Sequence, residues 1–236
     1  MEFKKTFKQF IFSSQFAVVY LLTLTQAVLI GFFQVFIKTE TYNDQQEVRV
    51  ALVSFLVTMI FSAILKAYCS FQMGKTLNLI DDNSLGSFTK RTFADWAITE
   101  VRAQVRVLIG LLLFIIPGLI EALRLALAMP FVFFDKRMER KSFDPVHESR
   151  EILHLKNPIL IHLFGLIIIA PILLFVTFQN GNTPFFENTI SMLRASLAAL
   201  AYALYTAYTY LYLTFLYKDV VSESNSIVND NETGEL

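Results

Sequence analysis

The chain has 236 residues, of which 55% are apolar, 14% aromatic and 17% charged, and its mean hydropathy is +0.52. A soluble domain carries about 25% charged and 45–50% apolar residues. Here the apolar excess sits in long unbroken runs, which excludes a soluble monomer. Twenty Lys and Arg against twenty Asp and Glu leave no basic excess for nucleic acid. The single cysteine, Cys69, excludes a disulfide framework and a multi-cysteine metal site.

Residues 1–15 place Phe3, Phe7, Phe10 and Ile11 at helical spacing with Lys4, Lys5 and Lys8 between them. This pattern predicts an amphipathic helix lying in the membrane interface. A cleaved signal peptide is disfavoured, because the following apolar run is too long and lacks an A-x-A site. Apolar runs at about 16–37, 50–73, 158–178 and 191–217 each match the roughly 20 helical residues that cross a hydrocarbon core of about 30 Å. A fifth run, Val105–Phe134, is interrupted by Pro117-Gly118, where proline removes a donor and glycine adds freedom.

Short loops rich in Lys and Arg stay cytoplasmic. The N-terminal segment is basic, as are the stretches 74–106 (Lys75, Lys90, Arg91, Arg102, Arg106) and 135–156 (Lys136, Arg137, Arg140, Lys141, Arg150, Lys156). Loop 38–49 is acidic on balance, and loop 179–189 has no Lys or Arg, so both read as outside. Because both flanks of Val105–Phe134 carry the inside signature, that run predicts a hairpin turning near Pro117-Gly118, with arms 105–117 and 118–134 that cross or re-enter. The expected architecture is an all-α, polytopic transmembrane bundle of about six helices, spanning 16–217 as a single domain with both termini cytoplasmic. Ser87–Val105, with Trp96, reads as a surface helix feeding the hairpin. Asp144-Pro145 reads as the N-cap and first position of a cytoplasmic helix running to about Lys156. The acidic tail, 218–236, reads as disordered.

Several residue sets carry candidate chemistry. His147, Glu151 and His154 share a helix face at metal-ligand spacing, but without buried partner carboxylates they read as a solvated amphipathic helix; no metal is expected. Glu121 and Arg124 lie three apart just past Pro117-Gly118, a spacing that pairs side chains on a helix. Ionisable groups in a membrane mark pathways or paired structural charges, and pairing is the favoured reading. Lys66 continues a stripe of Ser54, Thr58, Ser62 and Ser70 that suits helix packing or, alternatively, a polar conduit. On the last run, Ala195, Ala199, Ala203 and Ala207 form a ladder of small residues for close helix approach. Tyr202, Tyr205, Thr209 and Tyr212 form a second strip, open between a cavity lining, a lipid contact and interhelical hydrogen bonds. No G-x-S-x-G, H-E-x-x-H, Walker or dinucleotide motif is present, so nothing supports an enzyme, and no cofactor is expected.

The stretch Leu113–Pro130, L-F-I-I-P-G-L-I-E-A-L-R-L-A-L-A-M-P, is followed about twenty residues later by Glu148-Ser149-Arg150-Glu151-Ile152-Leu153. This combination resembles the bacterial YciC-like membrane proteins, related to the membrane domain attached to some glycerophosphodiester phosphodiesterases. The resemblance covers about 45 residues. It implies a six-helix integral membrane protein and brings no catalytic site, since the phosphodiesterase activity of the fused relatives lies in a separate soluble domain. The expectation is a multi-pass inner-membrane protein, non-enzymatic, with an accessory or scaffolding role engaging lipid, a membrane partner or a second copy of itself. The alternative is a small transporter or lipid-handling protein whose cavity is lined by Lys66, Glu121, Arg124 and Tyr205.

Overall fold

The computed structural model describes residues 2–38, 44–113, 115–139, 143–154 and 189–233, with 163, 165 and 169 singly. The expected span 158–178 and the loop 179–188 lie outside these residues, apart from those single positions. The described residues form helices and no strand: α1 (Glu2–Ile11), α2 (Ser14–Lys38), α3 (Asp44–Thr76), α4 (Leu85–Leu113), α5 (Ile115–Arg124), α6 (Ala128–Phe134), α7 (Pro145–His154) and α8 (Thr189–Thr233), with a 3₁₀ turn at Lys136–Glu139. The chain is therefore all-α, as its composition implied. Among the described residues, three stretches are long and apolar enough to cross a membrane by length and composition: Ser14–Phe32, Leu52–Thr76 and Ile116–Phe134. The expected span 191–217 is helical within α8, but it is not among those three. Its many Ala and Tyr residues are less apolar than Leu, Ile or Phe.

The chain divides into two compact units, Met1–Cys69 with Ile168–Thr209, and Ser70–Ile167 with Tyr210–Leu236. In the first unit, Ala199, Ala203 and Ala207 are buried and Ala195 is half-buried. The ladder brings α8 so near α2 that the Thr23 hydroxyl, itself bonded to the Val19 and Tyr20 carbonyls, also lies 3.3 Å from the Ala199 carbonyl. A longer side chain on that face would hold the backbones apart. The rings of Phe3 and Phe7 on α1 meet Tyr208 edge-on at 5.4 and 5.3 Å, so part of the apolar face expected to lie in the interface has a protein partner.

In the second unit the expected surface helix 87–105 and the first hairpin arm are one continuous helix, α4. Nothing between Trp96 and Leu113 breaks a helix except Gly110, and that glycine has a packing role. α4 ends at Leu113 and α5 begins at Ile115, so Pro117-Gly118 lies inside α5 rather than at a turn. Proline is best tolerated in a helix's first turn, where its missing N–H costs no hydrogen bond, and Pro117 is the third residue of α5. Gly118 instead packs on α4: a Cβ added at Gly110 would stand 2.8 Å from the Gly118 Cα and 3.0 Å from its nitrogen. The second arm, expected as one helix over 118–134, is two, because Pro130 restarts the helix as Pro117 does. At the far end, the helix passes the expected boundary at 217 and continues to Thr233. Tyr217 and Val220 are both buried, so packing carries the helix into the segment read as a disordered tail.

The core of this unit is aromatic. Phe88, from α4, lies 5.5 Å from Phe71 at the end of α3 and 5.5 Å from Phe133 of α6. Tyr217 of α8 meets Phe131 at 5.3 Å and Phe134 at 5.6 Å. The Phe131–Tyr217 pair is edge-on, a preferred geometry for ring quadrupoles, and the others are tilted.

The Gly110–Gly118 contact gives a direct prediction. Gly110→Val places new atoms against backbone that cannot rotate away and should cost about 1–3 kcal/mol. Gly86→Ala meets only the Ser84 hydroxyl at 3.9 Å and should be near neutral. Thermal unfolding of the two variants in mild detergent should separate them; equal midpoints would mean the helices part freely.

A three-residue clamp on the broken helix

The break between α5 and α6 takes several backbone groups out of helical pairing. The Ala128 N–H bonds the Leu125 carbonyl and the Ala126 N–H bonds that of Leu123, so the Arg124 carbonyl and the Leu127 N–H are among those left over. Both are satisfied from the side by Ser149 of α7. Its hydroxyl donates to the Arg124 carbonyl at 2.7 Å and accepts from the Leu127 N–H at 3.1 Å. Ser149 is fully buried. An unpaired buried backbone group is costly, and one hydroxyl removes two.

The residues on either side of Ser149 extend the clamp. Arg150 donates from Nη2 to Glu121 Oε1 at 2.9 Å, while Arg124 approaches the same oxygen at 3.6 Å. The anticipated Glu121–Arg124 pair is therefore present, but the closer cation is Arg150. On the other side, Glu148 accepts from Arg137 at 3.1 Å. Arg137 also forks onto Asp135 at 2.9–3.1 Å, and its guanidinium sits 4.6 Å from the Phe143 ring centre. The hydrogen bonds to Asp135 raise the Arg137 pKa above its ordinary value, against an opposing effect of burial. Three consecutive residues of α7 thus fix the 3₁₀ turn, the helix break and the α5 carboxylate.

Asp144 begins α7 as expected. Its Oδ1 accepts from the Val146 N–H at 3.0 Å and its Oδ2 from Arg102 of α4 at 2.7 Å. Burial favours the neutral acid, but the Arg102 hydrogen bond and the backbone donors outweigh it and lower the carboxyl's pKa below its ordinary 3.8. His147 and Glu151 lie 3.7 Å apart on the exposed side of α7. Among the described residues, no group of three His, Cys, Asp or Glu is placed to hold a metal ion.

The remaining candidates divide between the units. Lys66, Tyr202 and Tyr205 belong to the first, where the two tyrosine rings are 6.3 Å apart and Lys66 is half-buried. Glu121, Arg124 and Tyr212 belong to the second. The second unit also holds an open cleft of about 910 Å³ that the sequence reading missed, lined in part by Asp81, Asp82, Asp95, Asp135, Arg91 and Lys136. Asp82 is tied to Arg91 at 2.6 Å. No family model, no curated protein and no solved structure matches the chain.

Sequence reasoning missed the role of Ser149 and the Arg150–Glu121 pair. A usable signal was there: a carboxylate in an apolar stretch needs a cation, and the Ser-Arg step of the motif supplies it.

Ser149→Ala removes both bonds and leaves a carbonyl and an N–H buried. It should cost about 1–3 kcal/mol and open the 125–127 turn to protease, which limited digestion followed by mass spectrometry reads directly. Asp144 gives a pH prediction. Its pKa is lower folded than unfolded, so its stabilisation is complete above about 3.8 and is lost as pH falls through the folded value. Asp144→Asn keeps an N-cap but loses the titration. Between about pH 6 and pH 3, the loss of thermal midpoint should be smaller in the variant than in the parent.

Proposed function

We propose that this chain is a multi-pass α-helical protein of the bacterial inner membrane with both termini cytoplasmic, a relative of the YciC-like proteins, acting without catalysis as an accessory or scaffold that engages lipid or a membrane partner. Support for membrane contact comes from the exposed apolar side chains. Leu52, Leu56, Ile60 and Ile64 line one side of α3, and Ile98, Val101, Val105, Leu108 and Leu112 one side of α4. Apolar faces of this extent mark membrane or protein contact surfaces.

The observation that carries the scaffold reading is the clamp. Its charges hold elements in place: Arg150 secures Glu121, Arg137 secures Glu148 and Asp135, and Arg102 secures Asp144. A carboxylate fixed by two cations is a poor stepping stone for a moving ion or proton, which weighs against a conduit through Glu121 and Arg124.

The same pair bears on the hairpin. Glu121 lies six residues beyond Ile115, the start of α5, a rise of about 9 Å, and it is bonded to Arg150 on a helix whose flanks carry the cytoplasmic charge signature. The hydrocarbon core is about 30 Å thick. The hairpin then enters the inner leaflet and returns, and the full crossings are those at 16–37, 50–73, 158–178 and 191–217.

Cysteine labelling from the outer face tests this. In a Cys69→Ala background, cysteines replace Ile116 near the start of α5, Lys136 and, as the external control, Asn182. Asn182→Cys should label and the other two should not. Labelling at 116 would restore a full crossing, and labelling at 136 would overturn the cytoplasmic placement of the clamp.

A further inference from the structure

The clamp is asymmetric in charge. Arg124 and Arg150 both address one oxygen of Glu121, so the cluster carries one cation more than it neutralises. The side chains of Arg124 and Arg150 remain 28% and 41% exposed, against 19% for Glu121. Glu121 Oε2 and Arg150 Nε are buried without a protein partner. An acceptor and a donor therefore stand unpaired beside two partly exposed arginine side chains.

The apolar surroundings are ordered in the same direction. Ile116, Ile120 and Arg124 follow one another at four-residue spacing, so they share one strip of α5. Ile116 and Ile120 are exposed, and the strip ends on the Arg124 guanidinium. An apolar rail that leads to a pair of arginines at the membrane boundary fits a ligand with an acyl chain and an anionic head. Guanidinium groups are suited to phosphate because their fork of donors matches its oxygens.

We propose that Arg124 and Arg150 bind the phosphate of an anionic phospholipid headgroup of the inner leaflet, with its acyl chain lying along Ile116 and Ile120. The exposed portions of the Arg124 and Arg150 side chains supply the donors to the phosphate oxygens. The ligand class shares its chemistry with free phosphate, but only the lipid uses the isoleucine rail. The inference rests on the membrane-scaffold reading and names the lipid class that it engages.

The test uses the full chain in mild non-ionic detergent, titrated with short-chain phosphatidylglycerol, with the matching phosphatidylcholine and with inorganic phosphate. Binding is read by native mass spectrometry. Phosphatidylglycerol should bind saturably and more tightly than either of the others. Arg124→Gln should weaken it about fivefold, the share of one basic residue at an anionic lipid surface. Glu121→Gln removes the competing charge and should strengthen it, a gain that a purely structural role for the triad does not produce. Equal binding of the two lipids, inorganic phosphate binding as tightly as phosphatidylglycerol, or unchanged affinity in Arg124→Gln would each overturn the site. The cysteine-labelling pattern, repeated on Arg124→Gln, separates the two failures. A normal pattern with unaltered lipid binding removes the lipid site alone, whereas a pattern inconsistent with insertion removes the membrane reading itself.

Discussion

The second unit depends on a hydroxyl group in the wall of a broken helix. Pro117 and Pro130 divide an apolar stretch that would otherwise form one rod, and every such division exposes backbone polar groups that neither lipid nor an apolar core can solvate. Ser149 resolves the break between α5 and α6 by donating to one orphan and accepting from the other. Because it comes from α7, satisfying the break also fixes that helix against the hairpin. Glu148 and Arg150 then face their partners on opposite sides of the break. The positions of the Glu148 and Arg150 pairs follow from the position of one serine.

The energies are unequal. The Ser149 bonds are buried, so losing them leaves desolvated groups without compensation. The ion pairs at Arg102, Arg124 and Arg150 are partly exposed and screened, and contacts of that kind contribute little each. Their value lies in geometry: they set the register of α7 on α4 and α5. The bulk of the cohesion comes from the rings of Phe71, Phe88, Phe131, Phe133, Phe134 and Tyr217, with the close Gly110–Gly118 approach holding the hairpin arms together.

Much of this architecture was legible in the sequence, and the limits have physical causes. The apolar runs located α2 and α3, and Asp144-Pro145 located the start of α7, because length and capping chemistry are local. Of the alanine ladder, Ala199, Ala203 and Ala207 are buried, and Thr23 lies beside Ala199. α4 and α5 approach closely through Gly110 and Gly118, but Pro117-Gly118 lies inside α5 rather than between the two helices. A Pro-Gly pair looks like a turn in sequence, whereas here the proline begins a helix and the glycine accommodates a neighbouring one. The partners of Glu121 were only half visible. Arg124 is a near neighbour in sequence, but Arg150 approaches through the fold, and no spacing rule connects positions so far apart. The acidic cleft beside Arg91 was invisible for the same reason, since its walls come from separate parts of the chain.

The place of Tyr217 in the aromatic core has a consequence for biosynthesis. That ring closes on Phe131 and Phe134, yet it follows them by more than 80 residues in the chain. Chains emerge from the ribosome N-terminus first and their early parts begin to fold before the late parts exist. The α4–α5 pair and α7 must therefore be made while the pocket for Tyr217 stands open. α8 acts as the bolt that locks an assembly already made, and a nascent chain stalled before it would present bare phenylalanine rings to the quality-control machinery.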